Sequence, residues 1–298
     1  MFNPNDVTVV IPVYNQAFSL ALTLYGFTRQ LRPYNECSII VVDDGSTEPI
    51  EAIVESYKDI LNITYKKIKR SGRAVSRNIG AEEIETGLII FCDADRIPRE
   101  DFIMQHYNTY SRFGSVITIG QVREMYIPDL KNNKEKVLDN YLNNKGDRIP
   151  QYCKMVYNLY DENGYSISKI PWISLLSGNM SISADIFKKL GGFDPNFINW
   201  GFEHFEFGYR AYLNDSPFFY QDRAVNVHLA HPRSNSSYIK DIKESHAYFY
   251  QKHHTLIINK FKGFMLGNIS IRDFAMVANP RLEVHKNLPN QLVKITNV

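Results

Sequence analysis

Four short apolar runs mark the first hundred residues: "VTVVIPVY" (7–14), "CSIIVVDD" (37–44), "NITYKKI" (62–68) and "GLIIFCDAD" (87–95). Three of them are continuous and rich in Val and Ile, the pattern of parallel strands covered on both faces. Leu20, Leu24, Phe27 and Leu31 recur at helical spacing after the first run, and Ile50, Ile53, Val54 and Tyr57 after the second. The stretch "SGRAVSRNIGAEEIETG" (71–87) supplies a third helix, with Gly87 at its stop. The order β-α-β-α-β-α-β predicts an α/β fold with a doubly wound, mostly parallel sheet.

The pattern weakens between 115 and 170. "SVITIGQV" reads as a strand, "NNKEKVLDNYLNNKGDR" as a polar helix or a mobile loop, and "QYCKMVYNLYDENGY" has no clean period. Order returns over 172–215 as a strand, a helix, a Gly-rich turn and another helix. Residues 236–261 read as one long amphipathic helix, and the last forty or so fit no pattern. With no internal repeat and no low-complexity linker, the expectation is one continuous domain over 1–232, with halves at 1–115 and 116–232, and a C-terminal helical appendage over 233–298.

Composition narrows the function classes. A hydrophobic fraction of 44% over 298 residues is ample for a sizeable core, and a net charge of +2 is too mild to imply nucleic acid. Lys and Arg are scattered; the local groups "YKKIKRSGR" (65–73) and "KNNKEK" (131–136) read as solvated faces. Three widely spaced cysteines, Cys37, Cys92 and Cys153, fit reduced thiols in a cytoplasmic protein. No basic, apolar leader opens the sequence and no run of about 18 apolar residues occurs, so neither a signal peptide nor a membrane span is expected. Peripheral contact with the inner face of a membrane stays open.

Ligands of parallel α/β sheets collect at the carboxyl ends of the strands. There the sequence places Pro12, Val13 and Tyr14, then Asp43 and Asp44, then Asp93 and Asp95 around Ala94. Two carboxylates two residues apart can share a divalent cation such as Mg²⁺ or Mn²⁺, which in turn bridges phosphates. Taken alone, each of these stretches is equally a polar turn.

In order along the chain, "VVIPVYN", "VVDDGST" and "GRAVSRNIGAEEIETGLIIFCDAD" resemble glycosyltransferase family 2, enzymes with the GT-A fold, a Rossmann-like αβα sandwich. "SGNMSISADIFKKLGGFDPNFINWGFEHFEFGYR" is similar to the galactosyltransferase and N-acetylgalactosaminyltransferase signature that ends in Trp-Gly-x-Glu-Asp-x-Glu. The resemblance covers roughly residues 7 to 232. It implies a nucleotide-binding half over 1–115 and an acceptor-binding half over 116–232, with 121–170 as an acceptor wall or lid. It also implies that Asp93-Ala94-Asp95 is the Asp-x-Asp motif, with Asp95 on Mn²⁺ or Mg²⁺ and Asp93 near the ribose or the ion's waters.

By the same resemblance Pro12, Val13 and Tyr14 line the base pocket. Asp44, with Asp43 as the alternative, accepts the imide N–H of uracil, so the donor is a UDP-sugar. Arg73 and Arg77, one turn apart, could reach base or phosphates, and Asn78 pins their helix to the strand ends. Gly178 and Asn179 would let backbone approach the donor sugar, and Trp200 would offer it an apolar face. The second metal ligand is His228, with His231 as the alternative. "KHH" at 252–254 reads as a surface pair.

One departure from the family pattern stands out: His204 occupies the position of the catalytic Asp, between Glu203 and Phe205. Histidine is able to act as a general base near neutral pH, and its presence is equally compatible with a retaining mechanism that needs no base. Glu203 would place acceptor or sugar hydroxyls, and Glu206 is either a second such group or a structural one. The expected activity is transfer of a hexose or N-acetylhexosamine to a glycan, a lipid-linked saccharide or another hydroxyl acceptor. Two alternatives remain: a degenerate module that binds a nucleotide or glycan without turnover, and a nucleotidyltransferase. The second lacks support because "PVYNQAF", not a Gly-rich loop, follows the first strand.

Overall fold

The computed structural model describes residues 2–198, 201–230 and 235–294, the side chains of 235–238 excepted. The expected unit is present at the start: β1 (Val7–Val13), α1 (Ala17–Thr28), β2 (Ser38–Asp43), α2 (Ile50–Glu55), β3 (Ile63–Lys67), α3 (Arg73–Ala81) and β4 (Leu88–Cys92). These four strands pair in parallel in the order β3-β2-β1-β4. Val9 and Ile11 of β1 pack with Leu20 and Leu24 of α1, while Val10 between them packs towards Ala74 of α3. Both faces are covered, which is why β1 reads as an unbroken apolar run.

After β4 the chain makes the short β5 (Arg96–Pro98), α4 (Phe102–Phe113) and the long β6 (Ile117–Tyr126). The sequence between 132 and 165 resolves into α5 (Lys134–Leu142), β7 (Asp147–Arg148) and α6 (Gln151–Tyr157). Then follow β8 (Asn179–Ser183), α7 (Ala184–Leu190), α8 (Glu203–Leu213) and β9 (Phe218–Ala230). Among the described residues the sheet has nine strands in the order β3-β2-β1-β4-β8-β6-β9-β5, with β7 paired to β6. Three expectations change. The third helix ends at Ala81, and Gly87 (φ 90) serves the entry to β4, where a Cβ would overlap the Asp6 carbonyl. The strand expected from 172 begins only at Asn179, after a 3-10 turn over Pro171–Ser174. The single long helix breaks at His254 (φ 47) into α9 (Asn235–His253) and α10 (Leu256–Met265).

α9, α10, α11 (Ile271–Ala278) and α12 (Glu283–Lys286) complete the chain. They share an apolar core with the sheet and α8. Trp172, fully buried, has its ring centroid 4.9 Å from that of Phe261 and 5.2 Å from that of Tyr209. Ions reinforce the joint. Buried Glu206 of α8 accepts from Arg210 and lies 2.9 Å from Lys252 Nζ and 3.1 Å from His253 Nε2. Lys252 also bonds Asp194 at 2.6 Å. Within "KHH", Lys252 and His253 are therefore docking groups, while Lys252 and His254 stay exposed, and Glu206 is committed to structure. Burial pushes the Glu206 carboxyl up, but His253, Arg210 and Lys252 outweigh it and hold it at about 2.

Glu206→Ala would leave these cations uncompensated and is expected to cost about 3–5 kcal/mol, read as a fall in the urea midpoint. The folded Glu206 titrates below the unfolded value near ~4.3, so its contribution is complete above that value and is lost as pH falls towards 2. The stability gap between wild type and variant should therefore shrink between pH 6 and pH 3.

Candidate active site

The carboxyl ends of β1, β2 and β4 open on a cleft of about 720 Å³. One end is built by β1 and the turn after β3. Pro12, Val13 and Tyr14 line it, and the Arg70 guanidinium sits 3.7 Å from the Tyr14 ring centroid. Arg70 also pairs with Asp44, whose carboxylate accepts the N–H groups of Ser71 (2.6 Å) and Gly72 (3.0 Å). Gly72 has φ 95, a conformation that suits glycine and lets its N–H turn back to Asp44 before α3 begins. The result is a cation–aromatic platform beside an anchored carboxylate. Asp43 is not part of the cleft lining: it is buried, accepting from Ser46 N–H (2.8 Å) and the Tyr65 hydroxyl (2.7 Å).

The middle of the cleft carries the strand-end aspartates, each with its own cations. Asp93 accepts from Arg77 Nη2 at 2.8 Å and lies 3.6 Å from Arg96 Nε. Asp95 accepts from Gln16 Nε2 at 2.9 Å and lies 3.7 Å from His228 Nε2. Burial pushes both carboxyls up; Arg77 and Arg96 overcome this at Asp93, and His228 with Arg96 at Asp95, so both are held below the usual range. The two charges coexist at one strand end because guanidinium and imidazole groups surround them. Ala94 between them is buried, its carbonyl accepting from Thr23.

Carboxylate oxygen suits both Mn²⁺ and Mg²⁺, and an imidazole nitrogen beside it favours Mn²⁺ over the harder Mg²⁺. The 3.7 Å between Asp95 Oδ2 and His228 Nε2 is too long for a hydrogen bond and short enough for two ligands of one ion. Among the described residues no three His, Cys, Asp or Glu side chains converge in that way. An ion here would complete its shell with substrate phosphate oxygens and water.

Other expected residues are distributed differently. Arg73 lines the cleft at the start of α3. Arg77, 1% exposed, is not in the lining and bridges Asp93 to Glu203 Oε1 (3.1 Å). Asn78 pins α3 to the loop before α8, exchanging hydrogen bonds with the backbone of Phe193 at 2.7 and 2.8 Å, rather than to the strand ends. Gly178 packs under Asp93 and Arg96, where a Cβ would overlap both side chains. Asn179 is buried, its amide spent on the carbonyls of Gln121 and Ala224 and on His106, and does not reach the cleft. Glu203 and His204 at the start of α8 are buried outside the lining; His204 is 6% exposed, and its Nε2 has no hydrogen-bond partner among the described residues. Trp200 and His231 lie outside the described residues.

Sequence reasoning missed Gln16, Arg70 and Arg96. The segment Tyr126–Lys131, inside the stretch expected to form a wall or lid, lines the cleft, with Lys131 4.0 Å from Glu48. Arg70 was hidden in a basic stretch that otherwise reads as solvated. Arg96 carried a signal, since it directly follows the second aspartate.

The strand order and the cleft at the carboxyl edge define a GT-A-type α/β chain. The chain belongs to glycosyl transferase family 2, whose model matches residues 8–189; a second model, described as the N-terminal domain of galactosyltransferase, matches residues 162–220. It is similar to validoxylamine A glucosyltransferase of Streptomyces hygroscopicus subsp. jinggangensis, 26% identical over 270 residues, covering 86% of this chain and 63% of that protein. It therefore spans less than two thirds of that relative. The crystal structure of S. aureus TarS 1-349 superposes with a TM-score of 0.61 at 17% identity, covering 94% of this chain and 83% of that one. GalNAc-T7 with UDP, GalNAc and Mn²⁺ superposes with a TM-score of 0.56 at 17% identity, covering 83% and 50%. These two likenesses are of fold. No described helix is long and apolar enough to cross a membrane.

Arg77→Met strips Asp93 and Glu203 of a shared buried partner. A loss of about 3–5 kcal/mol in chemical denaturation is expected, and a loss within experimental error would show that the bridge contributes nothing.

Proposed function

We propose that the chain is a metal-dependent glycosyltransferase that moves a hexose or N-acetylhexosamine from a UDP-sugar to an acceptor hydroxyl in glycan or polysaccharide synthesis. The observation that carries the reading is that one cleft joins the Tyr14–Arg70–Asp44 corner to the Asp95–His228 pair. A base stacks on Tyr14 and Arg70, and a free lone pair of Asp44 accepts the uracil imide N–H. Asp95 and His228 would hold Mn²⁺ or Mg²⁺, which when bound neutralises charge on the departing diphosphate. Arg73 reaches the phosphates from the start of α3. Asp93, kept ionised by Arg77 and Arg96, accepts from a ribose hydroxyl.

On the acceptor side Glu203 is oriented by Arg77 and held ionised: burial pushes it up, and His204 and Arg77 pull it well below the usual range. His204 Nε2 has no hydrogen-bond partner among the described residues; it is buried, and would take the acceptor's proton once the acceptor side opens to it. The burial of both residues outside the cleft lining also supports a second reading, transfer with retention and without an enzymic base.

Calorimetry with UDP and Mn²⁺ tests the donor half. Asp95→Asn should weaken binding at least about tenfold, as loss of a charged ligand does in metal sites. UDP should raise the melting temperature more than equal GDP or ADP. Unchanged affinity in the variant, or equal protection by all three nucleotides, would sink the assignment.

His204→Asn should lower turnover by a factor on the order of 10² to 10⁴ if the imidazole is the base, with nucleotide affinity kept. Full turnover in that variant, together with a retained anomeric configuration by proton NMR, decides for the base-free reading.

A further inference from the structure

Strand register sets four side chains in one row. His228 of β9 is opposite Arg96 of β5 on one side and Glu124 of β6 on the other, and Glu124 is opposite Arg148 of β7. Residues in register share a face of the sheet, where their side chains meet. Glu124 is 8% exposed; its Oε2 is 3.9 Å from Arg148 Nη2, and its Oε1 is 3.8 Å from His228 Nδ1 and has no hydrogen-bond partner among the described residues. Asp95 Oδ2 faces the other ring nitrogen at 3.7 Å. The imidazole thus stands between two carboxylates, one for each nitrogen. Asp95 and His228 line the donor cleft, whereas Glu124 borders a different cavity of about 430 Å³.

A carboxylate oxygen buried without a donor is costly, and a histidine that gives one nitrogen to a metal donates from the other. We propose that Glu124 is a positioning residue for the metal site: its Oε1 accepts the Nδ1–H of His228, which turns Nε2 towards the ion shared with Asp95. The inference rests on the metal reading above. A closure of about 1 Å brings the two atoms to hydrogen-bond distance. Arg148 balances the other oxygen, so the row carries no surplus negative charge.

The test is Mn²⁺ affinity in the presence of UDP, followed by the electron paramagnetic resonance signal of free Mn²⁺, for wild type, Glu124→Ala, Glu124→Gln and Asp95→Asn. Glu124→Ala is expected to weaken Mn²⁺ binding roughly 10- to 100-fold. Glu124→Gln should lose less, because its amide oxygen still accepts, and should melt near the wild-type temperature without metal. A role in packing alone would lower both melting temperatures and leave the Mn²⁺ affinity of the folded protein at the wild-type value, and that result overturns the proposal. Wild type and Asp95→Asn binding Mn²⁺ equally poorly would instead overturn the metal reading, and this inference with it.

Discussion

The site hangs on a single buried guanidinium. Arg77 lies on α3, in the first half of the chain, and its two arms reach Asp93 after β4 and Glu203 at the start of α8. Those carboxylates are 110 residues apart in sequence, and each would be costly to bury alone. A planar fork with several donors is suited to this bridge in a way that an ammonium is not. The ring of Phe193 lies 5.5 Å from the guanidinium carbon, and Asn78 ties the same loop to the same helix. α3 is thereby the keystone that joins the strand-end aspartates to the start of α8.

Around that bridge the charges alternate. Arg70 with Asp44, Arg77 with Asp93, and His228 with Asp95 give the three strand-end carboxylates of the cleft a basic neighbour. Buried Arg96 keeps Nε and Nη1 without hydrogen-bond partners, and Arg73 at the rim forms no ion pair among the described residues. Such an arrangement is neutral enough to fold yet retains donors for an incoming anion. On the function proposed above, a diphosphate would supply the charge that these cations otherwise share among too few partners.

The first part of the sheet was legible because its constraints are local. Doubly covered strands write continuous apolar runs, and turns that reverse into helices need Gly, Ser and Asp at fixed offsets, so β1 to β4 and the aspartates after them can be read directly. The rest depends on tertiary partners that no short window contains. Arg70 resembles any surface arginine until Tyr14 and Asp44 are brought beside it. Asn179 looks like a backbone-exposing position, yet His106 and two carbonyls from distant strands claim its amide. "KHH" at 252–254 reads as a surface pair because Glu206, the partner of Lys252 and His253, lies 46 and 47 residues earlier.

The C-terminal helices matter to the site for the same reason. Phe202 has φ 72, a strained value for a bulky residue, and it caps the helix that presents Glu203 and His204. Its ring is fully buried, 5.3 Å from Phe261 of α10, while Phe205 on the next turn packs 5.0 Å from the same ring. Glu206 then clamps α8 to α9. One helix thus carries Glu203 and His204 at its start and the docking residues along its length. α10 packs against the strained cap and α9 is clamped to the same helix, so the C-terminal helices help to set the position of Glu203, which α3 receives through Arg77.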